Sequence, residues 1–119
     1  MILHDAGRED ESVSRWRLAL RQAELAEHPN RDGVRYGLGR QLVQAGHGEE
    51  AAEVLSDVYD NETAKGTAPG ARGETLFWLG HAQRQARVYG AAYRAWSQAI
   101  ELYDEADDMM NSSSAGFAL

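Results

Sequence analysis

The chain contains no cysteine, only two prolines and, among its twelve basic residues, a single lysine, Lys65. Without cysteine there can be no disulfide framework, no thiolate metal site and no thiol nucleophile. With proline confined to positions 29 and 69, long stretches are free to be helical. No apolar run approaches membrane-spanning length, and alternating strand-like runs are missing. The residues after Met1, Ile-Leu-His-Asp, lack the basic region and apolar stretch of a secretory signal, so a cytoplasmic location is expected. The arginine bias reads as that of a GC-rich, bacterial genome rather than as phosphate recognition, because the arginines are spread along the chain.

What is present is 119 residues, 43% of them hydrophobic, enough for one domain whose core needs no metal or disulfide. The net charge of −7 disfavours nucleic acid as a partner. Apolar residues recur at helical spacing, which predicts an all-α domain of about five helices. Residues 1–11 are expected to be flexible. A lone helix is expected over 12–28, capped by Ser12 or Asp10, with Val13, Trp16, Leu20 and Ala23 on its buried stripe. Asp32 is expected to cap a second helix that Gly46 ends, and a helical hairpin should cover 32–61. The Gly/Pro/Thr-rich segment 61–73 reads as a loop. A second hairpin is expected over 74–107, and 109–119 as a flexible tail whose Phe117–Leu119 end could dock on another copy.

One regularity organises these elements. Leu38, Gly39, Gln44, Ala45 and Ala51 recur as Leu79, Gly80, Gln85, Ala86 and Ala92, each shifted by 41 residues. A constant offset of this size signals stacked supersecondary units. The small residues suggest close helix crossings, with Gly39 meeting Ala51 and Gly80 meeting Ala92, while Leu55 and Trp96 fill the remaining volume.

The Leu-Gly pair, the alanine twelve residues after the glycine and the large residue four further on resemble the tetratricopeptide repeat family. Leu38-Gly39, Ala51 and Leu55 match, as do Leu79-Gly80, Ala92 and Trp96. The resemblance implies antiparallel hairpins stacked as a right-handed superhelix whose inner helices line a concave groove. Arg35 and Leu76 stand where the family has tryptophan, and the 41-residue spacing exceeds its usual period of about 34. By position, the implied groove takes Tyr36, Arg40, Val43 and Gln44 from the second helix and Phe77, His81, Arg84 and Gln85 from the fourth. Aromatics, arginines and amides together would suit an acidic or C-terminal peptide. The bland alternative is that Tyr36 and Phe77 pack between hairpins and the arginines pair with acids. The lysine and asparagine that one subgroup uses to clamp peptide carboxylates are not at these places.

No enzyme signature emerges. The histidines, His4, His28, His47 and His81, have no ligand-spaced partners, so neither a metal nor a cofactor is expected. Gly70-Ala-Arg-Gly73 lacks the lysine of a phosphate loop. The acidic run Glu101–Asp108, read as a helix end, could meet a basic partner or stay solvated. The leading expectation is a non-catalytic scaffold for a protein or peptide. The alternative is a self-associating structural or regulatory segment of a larger protein; Trp16, Trp78, Trp96, Tyr93 and Tyr103 are many aromatics for so small a core, and a homodimer that covers some of them is expected.

Overall fold

A computed structural model describes the backbone of residues 2–118 and the side chains of residues 10–109. Five α-helices follow one another: α1 (Ile2–Leu25), α2 (Arg31–Gln44), α3 (Gly48–Lys65), α4 (Pro69–Gln85) and α5 (Tyr89–Ala118), and the described residues contain no strand. Each helix packs on the next, and α2 also touches α4, so these two lie side by side. Leu38, Leu42, Ala51, Leu55, Leu76, Leu79, Ala82, Ala95 and Ala99 form the core between the helices, and Val13 of α1 closes it at one end.

The hairpins α2–α3 and α4–α5 share one connection, copied with the 41-residue shift. Gly46 N–H donates to the Val43 carbonyl and His47 N–H to Leu42; Arg87 N–H donates to Arg84 and Val88 N–H to Gln83. Both pairs are the Schellman closure of a helix C-terminus, which satisfies carbonyls that have no partner in the last turn. The same closure ends α1, through Glu27 and His28, and α3, through Gly66 and Thr67. It requires a left-handed residue, and Glu27, Gly46, Gly66 and Arg87 have φ of 51°, 86°, 71° and 65°.

The glycines of the repeat mark helix crossings, and what stands nearest to each is the large residue rather than the expected alanine. A Cβ on Gly39 would stand 2.6 Å from Leu55 Cδ2 and Cγ, and one on Gly80 would stand 2.3 Å from Trp96 Nε1. The glycine therefore receives the large residue sixteen positions later, one turn beyond the expected alanine. Ala51 and Ala92 are themselves buried. A further glycine, Gly37, takes the Trp16 ring of α1, with ring carbons 2.4 Å from its Cβ position.

Several boundaries differ from those the sequence suggests. Residues 2–11 belong to α1, because nothing from Ile2 to Leu25 interrupts a helix and the Arg15–Glu11 pair sits on it at i,i+4. Ser12 and Asp10 are thus inside the helix rather than capping it. The lone helix stops at Leu25, three residues short of 28, where Glu27 turns left-handed. Asp32 is not a cap either. It lies in the first turn of α2 and binds Arg35, Asn61 and Lys65, while Asn30 occupies the cap position.

Most of the expected loop 61–73 is helical, and only Gly66–Ala68 lie between α3 and α4. Gly66 ends α3, and Pro69 at the first position of α4 starts a helix, where its missing N–H costs nothing. Gly73 inside α4 makes room for the Tyr103 ring, 3.2 Å from its Cβ position. At the other end α5 continues through 109–118, expected as a flexible tail, because serine and glycine lower helix propensity without removing a backbone donor. The acidic run Glu101–Asp108 thus lies within α5, not at its end. Met1, Leu119 and the side chains of the Phe117–Leu119 end, expected to dock on another copy, lie outside the described residues.

The four closures give a direct test. Replacing Gly46 by alanine should cost about 1 kcal/mol of stability, because nothing lies within 4 Å of its Cβ position and only the left-handed backbone is penalised. Arg87→Gly should stabilise by about 0.5–1 kcal/mol for the same reason. Urea unfolding of both variants checks the opposite signs. Gly80→Ala should destabilise by roughly 1–3 kcal/mol by displacing Trp96, and the same curves read it.

Candidate binding groove

Among the described residues, the side-by-side helices α2 and α4, with α5 beyond, build one aromatic surface. Glycine spacing explains why: Gly80 and Gly73 draw Trp96 and Tyr103 of α5 onto α4. Trp96 is fixed there by its indole N–H, which donates to the Phe77 carbonyl at 3.2 Å. His81 then stands among three rings, with centroids 4.7 Å from Phe77, 6.0 Å from Trp78 and 5.5 Å from Trp96. Edge-on contacts at these distances are favourable for aromatic groups.

Across the α2–α4 seam, Arg40 lies over the face of Trp78 at 4.8 Å and beside Tyr36 at 5.7 Å. Such cation–π contacts contribute about 0.5–2 kcal/mol. They hold the guanidinium in place without neutralising it. Arg40 forms no ion pair among the described residues, and its buried Nε has no hydrogen-bond partner. The other arginines at comparable depth are engaged: Arg35 with Asp32 and Glu24, and Arg72 through Nε with the Thr67 carbonyl at 2.9 Å.

Of the eight residues placed on the groove from sequence, Tyr36, Arg40, Phe77 and His81 come together here. Val43 does not: it is buried in the core. Gln85 has an architectural role, its amide N–H donating to the Val43 carbonyl at 2.7 Å and tying α4 to the end of α2. Gln44 is exposed, and Arg84 is exposed beside His81, close enough to act on its charge. Trp78, Trp96, Tyr103 and Glu74 also border this surface, where sequence reasoning did not place them. The glycines at 73 and 80 were the available signal, because each admits a ring from the neighbouring helix.

The electrostatics are uneven. Burial, and then the Arg84 guanidinium, hold the His81 imidazole below its ordinary pKa. Burial raises the Tyr36 phenol far above its usual range, with the Glu74 carboxylate adding to the effect, and the Tyr36 hydroxyl has no hydrogen-bond partner. Tyr103 is raised by burial and by the same Glu74. Tyr36 and Glu74 also line a cleft of about 340 Å³ between the starts of α2 and α4 and the end of α3. Glu62 in its wall is raised by burial and by Asp32, while Thr75 and Arg72 pull the other way.

No group of three or more His, Asp or Glu that could hold a metal occurs among the described residues. No helix among them is long and apolar enough to cross a membrane. The chain matches no protein-family model, no curated protein and no solved structure.

A titration follows from the position of His81. A base whose folded pKa is depressed adds stability that is complete above its unfolded value, about 6.5, and is lost as pH falls toward the folded value. Urea stability should therefore decline below about pH 6.5, and His81→Gln should flatten that part of the curve. The His81 ring protons in NMR should titrate below 6.5, the ordinary value, and move up in Arg84→Ala.

Proposed function

We propose that the chain is a non-catalytic interaction scaffold of the tetratricopeptide type, with hairpins α2–α3 and α4–α5 as two divergent repeats of a right-handed stack and α1 as the second half of an incomplete one. The repeated Schellman closure and the repeated glycine-against-large-residue crossing support this reading of the architecture. Its groove holds an acidic protein segment or a peptide carboxylate, with Arg40 as the anchor and Tyr36, Phe77, Trp78 and His81 as the apolar lining.

The observation that carries the ligand chemistry is the unpaired guanidinium. A carboxylate from a partner would complete its hydrogen bonding, and a planar fork already held between two rings loses little freedom on binding. Exposed Arg84 adds positive charge beside His81 on α4, on a protein that is acidic as a whole.

A random peptide library panned against the protein should enrich acidic or free-carboxylate sequences. Arg40→Ala combined with Arg84→Ala should weaken the selected peptides by about 1.5–3 kcal/mol, the loss of a charge-assisted hydrogen bond, while helical circular dichroism is unchanged. Arg40→Lys should recover only part of the affinity, since the ammonium lacks the planar fork. Unchanged affinity in the double variant would remove the groove from consideration.

A further inference from the structure

The flank of α5 beside α4 carries apolar residues that the fold leaves uncovered. Tyr89, Tyr93, Trp96, Ile100 and Tyr103 follow one another at spacings of four, three, four and three, so they share one helix face. Trp96 and Tyr103 lean onto α4, whereas Tyr89, Tyr93 and Ile100 are 63%, 74% and 61% exposed. Monomers rarely leave such a run open to water.

The internal repeat says what cannot cover it. Shifted back by 41 residues, Tyr89 corresponds to Gly48, and there α4 seats directly on α3: a Cβ on Gly48 would stand 2.6 Å from the Ala82 carbonyl oxygen. A tyrosine at that place keeps a following helix from approaching as α4 does. The start of α5 is therefore not shaped to receive another hairpin in the same register.

Charge along the helix indicates what does fit. Arg94 near the start of α5, with Arg84 and Arg87 just before it, is followed by Glu101, Asp104, Glu105, Asp107 and Asp108, and all of these are exposed. None of the three arginines is in an ion pair among the described residues. A helix that is basic at one end and acidic at the other complements itself when two copies run antiparallel. We infer that two copies of this chain pair antiparallel through α5, centred near Trp96, with Tyr89, Tyr93 and Ile100 in the seam and Arg94 of each copy beside the acids of the other.

The exposed parts of these three side chains amount to roughly 400 Å² per copy, about half of what a specific interface of average size uses on each side. The charged flanks supply the remainder, and a two-fold axis uses every contact twice. The seam borders the aromatic surface at Trp96, whose ring stands 5.5 Å from His81, but the inference uses no property of Arg40, which lies on α2.

Light scattering with sedimentation equilibrium on the full chain tests it. A concentration-dependent monomer–dimer equilibrium that tightens at low salt is expected, with Tyr93→Glu and Ile100→Glu each monomeric and fully helical. Arg94→Glu alone and Glu101→Arg alone should each weaken pairing by about ten-fold, and the two changes together should restore it. A wild-type monomer at all concentrations overturns the inference, as does a dimer that survives Tyr93→Glu and Ile100→Glu. Failure of the combined charge reversal to restore pairing overturns the antiparallel arrangement.

Discussion

Two glycines decide how closely this molecule can be built. Gly39 and Gly80 each remove a side chain where the opposite helix brings its largest residue, Leu55 in one hairpin and Trp96 in the other. Any Cβ there would force the helices apart or turn the large residue out of its layer. Because the large residue is sixteen positions after the glycine in both cases, the loop between them is constrained too. Only a tight reversal brings residues that far apart in sequence to the same level, and the Schellman closure at Gly46 and Arg87 provides it. Crossing and closure thus form one unit, and the chain contains it twice.

From that unit the aromatic surface follows. Trp96 reaches Gly80, Tyr103 reaches Gly73, and the rings that fill these vacancies extend beyond them to stand beside His81 and Glu74. The close packing of α5 on α4 and the lining of the groove are therefore two ends of the same side chains. A substitution that loosened the crossing would also disturb the groove, so the groove is best probed by residues outside the crossing, such as Arg40 and Arg84.

The helical class and the repeat could be read in the sequence, because periodic apolar residues and a constant offset need only residue identities. The linkers were harder. The 61–73 segment has the composition of a loop, yet Gly66 and Pro69 act at single positions, one ending α3 and the other starting α4, and the glycines at 70 and 73 lie inside a helix because a neighbouring ring packs over the second of them. Composition averages over what are separate geometric roles. Helix register selects Tyr36, Arg40, Phe77 and His81, which lie on one aromatic surface, but it also selects Val43, which is buried in the core. Whether a position on α2 faces water depends on where α4 lies, and register along one helix does not carry that information. Arg87 shows the same limit from another side, since a left-handed arginine is invisible unless its equivalence to Gly46 is noticed.

Arg40 shows where folding requirements and sequence choice part. Arg17 meets Glu50, Arg35 meets Asp32 and Glu24, and Arg15 meets Glu11; apart from Arg40, the described arginines without an ion pair are exposed or, in the case of Arg72, hydrogen-bonded through Nε. At position 40 the charge is half-buried between two rings, its Nε without an acceptor, on a protein with acids to spare. Packing alone would be served better by an uncharged side chain of similar length, because burying a charge without a counter-ion is unfavourable. A cost that the fold does not need and that neighbouring acids do not relieve is the kind of local inconsistency found at functional sites. The rings orient the guanidinium without discharging it, which leaves its full charge for the acidic group proposed above.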